Sequence, residues 1–419
     1  MNTEIKSIIA RQIFDSRGFP TIETKVILEN GVSGKASVPS GASTGKFEAI
    51  ELRDNQKIYG GKSVLKAVEN INYEISKLLK GVDVINQRKI DLMMIEADGT
   101  ANKANFGANA ILSVSLAAAR AAANSLKIPL FYYLGGMKAC ELPVPFMNII
   151  NGGKHADNNL NIQEFMIAPT GAQTFEEAMM IGTDVYHSLK SVLRKRGLST
   201  AIGDEGGFAP DLSSDEEALE AIMEAIDIAG YKPFDEVNIA LDCAASEWFE
   251  NGNYTFMKTN ETFTPSSLSD YLLNLVNNYP IISIEDPFDQ DDFQSFSDFT
   301  RSTDCQIVGD DLFVTNPERL LKGINCFAAN SILIKPNQIG TLSETLDTIR
   351  IAQNEGYSVM VSHRSGETED SFIADLSVAV GSGQIKTGAP CRGERLVKYN
   401  RLLMIEKMLS KNAIYKSLF

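Results

Sequence analysis

The sequence predicts an α/β protein in two parts: a C-terminal (β/α)8-type barrel over residues 138–419 and a preceding α+β domain over residues 1–137. Three observations lead to this expectation. In the C-terminal part, short apolar runs each end in a polar or charged residue and give way to a helical stretch. Those endings recur at intervals of 43, 25, 25 and 28 residues, about one strand–helix unit each. The runs are apolar throughout rather than alternating, as strands buried on both faces of a parallel sheet must be. The first third instead alternates around an Asn-Gly pair and then turns helical.

Taken in order, Ile22, Val26 and Leu28 fall on even positions with Glu23 and Lys25 opposite, and after Asn30-Gly31 the alternation resumes as Val32, Gly34, Ala36, Val38. Asn-Gly accepts the positive φ angles of a tight hairpin turn, so two strands joined there are expected. Helical periodicity follows at roughly Ser63 to Leu79, Ile85 to Glu96 and Asn109 to Leu126, and the domain is expected to end near Gly135-Gly136, before Pro143 and Pro145. Beyond it, Val237 to Leu241 runs into Asp242, Ile281 to Ile284 into Glu285, and Gln306 to Gly309 into Asp310. Ile332 to Ile334 then runs into Lys335, and Val359 to Ser362 into His363. A closed barrel of about 250 residues suits this length. An open doubly wound sheet is the alternative, but no glycine-rich dinucleotide fingerprint accompanies it.

Lys and Arg total 39 against 54 Asp and Glu, a net charge of −15. That balance argues against nucleic-acid partners, which demand neutralised phosphates, and against anionic membranes. Five scattered cysteines (Cys140, Cys243, Cys305, Cys326, Cys391) form no CxxC pair and read as reduced thiols, with Cys243 and Cys326 as core filler. The N-terminal residues show no apolar leader segment, and the most apolar run, Ala110 to Ala119, is cut short by Arg120. A cytoplasmic protein is expected; a secondary surface or secreted pool would leave no mark in the sequence.

Strand ends at the C-terminal face of a barrel converge on one mouth. Asp242, Glu285, Asp310, Lys335 and His363 are therefore expected together. Like carboxylates at ~4 Å repel by about 4 kcal/mol at an effective dielectric of ~20. A divalent cation removes that repulsion, and hard oxygen ligands favour magnesium over zinc. Asp311, beside Asp310, reads equally as a turn residue. A lysine at a metal-bearing mouth suits a general base once its proton is lost. Ser362-His363-Arg364-Ser365-Gly366 combines groups that suit a phosphate, while Ser40-Gly41-Ala42-Ser43-Thr44-Gly45 reads as a mobile loop or a plain linker. Gly203 to Phe208 sets Asp204 and Glu205 among glycines, where backbone approaches a ligand closely; Glu205 could be a general acid or a turn carboxylate. His155, Gln163 and Glu164 add an imidazole, an amide and a carboxylate, and His187 reads as a structural residue of a helix.

Taken together, these segments resemble the enolase family along the whole chain. The likeness rests on Asp15-Ser16-Arg17-Gly18, SGASTG at 40–45, NGGKHADNN at 151–159, QEFMI at 163–167 and GDEGGFAP at 203–210. It continues through LDCAASE at 241–247, SIEDP at 283–287, GDDL at 309–312, IKPNQIG at 334–340, SHRSGETED at 362–370 and KTGAP at 386–390. The resemblance implies interconversion of 2-phosphoglycerate and phosphoenolpyruvate with two Mg²⁺ per site. Asp242, Glu285 and Asp310 would hold the first ion, and Ser40 would ligate a second that arrives with substrate. Lys335 would be the base, Glu205 the acid and Glu164 its partner. His155, Gln163, His363, Arg364, Ser365 and Lys386 would contact substrate, with Arg364 and Ser365 at the phosphate. It further implies a homodimer, in some members a ring of dimers up to an octamer, and a barrel whose first strands depart from all-parallel order. Phe19 stands where asparagine is usual, and the stretch after Asp54 is a few residues short. Two other readings compete: an acid-sugar lyase or racemase sharing the carboxylate triad, and a non-catalytic relative acting as a binding protein. The 40–45 loop and the 362–366 segment speak against the first, and the retention of every expected site residue against the second.

Overall fold

A computed structural model of the chain describes residues 2–41, 45–256, 258–417 and 419. The N-terminal sheet is antiparallel with strands β1 (Ile5–Phe14), β2 (Pro20–Leu28) and β3 (Ser33–Ser37) in sequence order. The hairpin at Asn30-Gly31 forms as expected, with Leu28 N–H donating to the Val32 carbonyl at 2.9 Å. Ile22, Val26, Leu28 and Ala36 are wholly buried, the face that the alternation assigned to the core. Against it packs the helix Ala108–Leu126, whose alanines let backbone meet backbone. A Cβ at Gly34 would lie 2.2 Å from Ala121 N, so only glycine fits between strand and helix. The expected second helix is Gln87–Asp98, and the first is broken by one π turn into Leu65–Asn70, Ile71–Ile75 and Ser76–Leu79.

Two features of this domain were not read from the sequence. β1 carries apolar residues on both faces, Ile8 and Ala10 buried on one and Ile9 more than half exposed on the other, while Phe14, of the same parity as Ile8, is more than half exposed at the strand end, so its alternation is blurred. Phe19 lies under the Lys62 ammonium, 3.6 Å from ring centre to nitrogen, and thereby ties the turn after β1 to the shortened stretch.

Eight strands close the barrel: β4 (Val144–Asn151), β5 (Glu164–Ala168), β6 (Asn238–Asp242), β7 (Ile281–Glu285), β8 (Gln306–Gly309), β9 (Ser331–Ile334), β10 (Ser358–Ser362) and β11 (Gly383–Lys386). They pair in sequence order, and β11 closes onto β4. All neighbours are parallel except β5, which runs antiparallel to both β4 and β6. Side-chain parity divides each strand. Val144, Phe146, Met166, Ala240, Val308, Leu333 and Met360 fill one small cluster inside the barrel. Ile239, Leu241, Ile284, Ile307, Ile332, Ile334, Val361 and Ile385 face the helices in the larger core. Continuing the inward parity one step towards the mouth reaches Asn148, Glu164, Asp242, Glu285, Asp310, Lys335, Ser362 and Lys386. These polar groups sit one step beyond the apolar cluster, and a second polar set, Ser283, Gln306 and Gln384, bonded to one another through Gln306, lies at the opposite end of the same inward rows.

Cys243 and Cys305 are buried and Cys326 only partly, and all five thiols are unpaired. Among the described residues, no helix is long and apolar enough to cross a membrane.

Candidate active site

Glu164 begins β5, whereas Asp242, Glu285 and Lys386 end β6, β7 and β11; reversal of β5 brings its first residue to the mouth that its neighbours reach with their last. Register sets Glu164 beside Asp242, and Asp242 beside Glu285. Lys386 Nζ lies among them, 2.8 Å from Asp242 Oδ2, 2.8 Å from Glu285 Oε2 and 3.2 Å from Glu164 Oε2. Lys335 Nζ sits 2.5 Å from Asp310 Oδ2, and Gln338 Nε2 donates to Asp310 Oδ1 at 2.8 Å.

These carboxylates are buried, so each needs a positive partner. Burial and Asp242 push Glu285 well above the ordinary carboxylate range. Burial pushes Asp310 up too, but the Lys335 ammonium overcomes this and holds it below its ordinary value. Both ammonium groups are lowered by burial and raised further by their carboxylates, Lys335 by Asp310 and Lys386 chiefly by Asp242. Glu285 Oε1 and Gln163 Oε1 are buried with no hydrogen-bond partner among the described residues. Asp242 and the spare buried oxygen of Glu285 are donors of the kind a hard divalent cation takes, whereas Asp310, paired with Lys335, is not grouped with them within 4.8 Å. Asp286, Asp310 and Asp311 form an adjoining acidic group. Asp286 accepts the N–H of Asp310 at 3.0 Å and of Asp311 at 2.6 Å, and so shapes the turn that presents Asp310.

Across the mouth, His155, Glu164 and Glu205 each bring one polar atom within 4.8 Å of the others. His155 Nδ1 is 3.4 Å from Glu164 Oε1 and 3.8 Å from Glu205 Oε1. Burial and the charge of Glu205 raise Glu164 well above its ordinary value. Burial raises Glu205 as well, yet its polar contact with the His363 ring and the charge of Arg395 behind it bring it well below. The proton shared by this pair therefore rests on Glu164. Burial lowers both imidazoles, His363 to about 4, so both are neutral near pH 7. The loop carrying Glu205 passes so close to β4 that a Cβ at Gly203 would lie 2.1 Å from Asn151 Nδ2.

Residues 5–134 match the family described as enolase, N-terminal domain, and residues 139–418 match enolase, C-terminal TIM barrel domain. The chain belongs to the enolase family. The reversed β5 is the departure from parallel order that the enolase resemblance implied.

Most of the residues carried over from the enolase resemblance line a single small cleft, among them His155, Gln163, Glu205, Asp242, Asp310, Lys335, Arg364, Ser365 and Lys386. Arg364 reaches Glu48 at 2.9 and 3.2 Å and Asn337 at 3.1 Å, a two-pronged grip on an anion. Ser40 lies apart from the carboxylates. Its backbone pairs with Gly366, and its hydroxyl is held by Glu51 at 3.2 Å and Arg53 at 2.9 Å. Ala42, Ser43 and Thr44 of the 40–45 loop lie outside the described residues. His187 is exposed on the helix Phe175–Lys195, away from the cleft. Glu48, Asn148, Asp286, Gln338 and Arg395 were not singled out from sequence. Glu48 and Arg364 stand 316 positions apart, so no local pattern announces their pairing.

Proposed function

We propose that the chain catalyses the reversible dehydration of 2-phosphoglycerate to phosphoenolpyruvate, with magnesium, in the cytoplasm. What supports this most is one cleft that gathers the lysine, the Glu164–Glu205 pair, Asp242 and Asp310, and an anion-gripping arginine. In this reading Arg364 and Ser365 hold the phosphate, the guanidinium exchanging Glu48 for substrate oxygens. His155, Gln163 and His363 shape the wall and orient the substrate. Lys335 Nζ, as the neutral amine after losing its proton to solvent, takes the α-proton, the released electron pair forms the C=C bond, and the C3 hydroxide departs with a proton from Glu205. Glu164, which carries the shared proton in the free protein, hands it to Glu205 through their common neighbourhood. Lys386 remains beside the substrate carboxylate, where negative charge grows in the transition state. Magnesium held by Asp242, Glu285 and Asp310, and a second ion at Ser40, would supply positive charge to that carboxylate and free the lysines from their ion pairs.

The test is absorbance of the enol phosphate formed from 2-phosphoglycerate with and without Mg²⁺. Product in the magnesium arm alone is expected. No product there, together with turnover of acid sugars, would replace this reading with the lyase or racemase alternative.

The same proposal includes a homodimer, or a ring of such dimers, built on the small domain. Ile9 and Phe14 on β1, exposed at 56 % and 54 %, supply apolar surface that a partner copy would cover.

A further inference from the structure

Arg395, in the first turn of the helix Gly393–Leu409, is wholly buried. Three of its hydrogen bonds go to carbonyls: Arg364 at 2.6 Å, Ser365 at 2.6 Å and Asp204 at 3.0 Å. The fourth goes to His363 Nδ1 at 2.7 Å. A guanidinium has no acceptor atom and keeps its protons, so Nδ1 must be the bare nitrogen of the ring. The ring hydrogen therefore sits on Nε2, which faces Glu205 Oε2 at 3.3 Å. Asn148 Nδ2 donates to the same oxygen at 3.1 Å. Oε2 thus accepts from Asn148 and faces the ring Nε2 without a closed hydrogen bond to it, so a proton bound to Glu205 belongs on Oε1, the oxygen turned towards His155 and Glu164.

We propose that Arg395 is a positioning residue for the Glu205 acid: by donating to His363 Nδ1 it fixes the Nε2–H form of the ring, which directs its hydrogen at Glu205 Oε2 and leaves Oε1 to carry the delivered proton. The inference rests on Glu205 acting as the acid. The charged groups facing the ring are Glu205 from the glycine loop, Glu367 from the segment after β10 and Arg395 from the last helix. Glu367 is itself held by Lys398 Nζ at 2.8 Å, one turn along the same helix. Burial and Arg395 both disfavour an imidazolium, so the ring stays neutral across the working pH range.

The chain has three histidines, which makes side-chain ¹⁵N NMR direct, with exposed His187 as the reference signal. In the wild-type protein His363 should show a protonated Nε2 and a bare Nδ1 from pH 5.5 to 8. A protonated Nδ1 or an imidazolium at pH 7 overturns the proposal. The measurement needs no substrate, so it fails or succeeds separately from the assigned reaction. In Arg395→Gln the ring should mix tautomers and begin to titrate, and the ratio of kcat at pH 6 to kcat at pH 8 should fall roughly tenfold against wild type. Arg395→Lys, which keeps the charge and a donor, should restore most of that ratio. A uniform loss at both pH values with an unchanged His363 spectrum would mean that Arg395 only braces the loops, and the proposal would fail.

Discussion

Lys335 and Glu205 carry different protons, so their losses should be separable. Lys335→Ala should lower turnover by on the order of 10²–10⁴-fold and stop exchange of the C2 proton with solvent together with it. Glu205→Gln should block turnover while exchange continues, because only the later departure of hydroxide needs that acid. Loss of deuterium from C2-labelled 2-phosphoglycerate separates the two, and the reverse pattern would exchange the roles. Asp242 calls for a different test. Asp242→Ala removes one of three carboxylate partners of Lys386 Nζ and one of three proposed carboxylate metal ligands. Magnesium affinity by calorimetry should collapse along with activity, and near-normal values for both would refute the metal assignment. The residues found at strand ends were legible because parallel strand–helix units repeat with little variation and always bring the last strand residue to the same mouth. Glu164 and Gln163 break that rule, since β5 enters the mouth with its first residue; the residues alone offered them as an amide and a carboxylate, and only the resemblance gave them a role. Arg395 gave no signal at all, being one charged residue in a charged helix.

At the scale of elements, the helix Asp215–Ala229 does more than cover the barrel. Ser214 caps it by accepting the Glu217 N–H at 3.2 Å. The carboxylate of Asp215 accepts the N–H groups of Asn161 at 3.0 Å and Ile162 at 3.3 Å, fixing the loop just before Gln163 and Glu164. Burial pushes Asp215 up to about 7 from 3.8 despite those bonds. A carboxyl whose folded pKa is raised adds stability that is complete below its unfolded pKa and is lost as pH rises towards 7, with an upper bound of about 4 kcal/mol. Asp215→Asn keeps the accepting oxygen without the charge. Its thermal midpoint should therefore gain on wild type between pH 4.5 and 8; a constant difference across that range would show that the charge costs nothing. The hairpin, the three helical stretches of the small domain and five barrel strands were visible in advance. β1 was not, because a strand that is apolar on both faces shows no alternation.

For the whole molecule, the exposed apolar side chains of β1 set the oligomer prediction. Wild type should scatter light as a dimer or as a multiple of dimers. Ile9→Glu, on the outer face of β1, should raise the dimer dissociation constant at least tenfold without unfolding the protein, roughly 1.4 kcal/mol of association. A wild-type monomer at micromolar concentration would remove the dimer from the proposal.

The reversed β5 also has a consequence for how the chain reaches its native state. β4 and β5 meet across the loop 152–163, with Asn151 opposite Glu164, whereas β11 meets β4 through Ile385 and Pro145, some 240 positions apart. Local pairing closes a short loop at small entropic cost, while the final seam must wait for every intervening unit. The β4–β5 hairpin should accordingly be structured in the transition state of barrel folding and the β11–β4 seam should form after it. Trp248, the single tryptophan and buried beside β6, offers a stopped-flow signal confined to the barrel. Ile167→Val should mainly slow refolding, and Ile385→Val should mainly speed unfolding. If Ile167→Val left the refolding rate untouched, the barrel would have to begin elsewhere, and the early contact between the loop bearing His155 and its strands would be a late one.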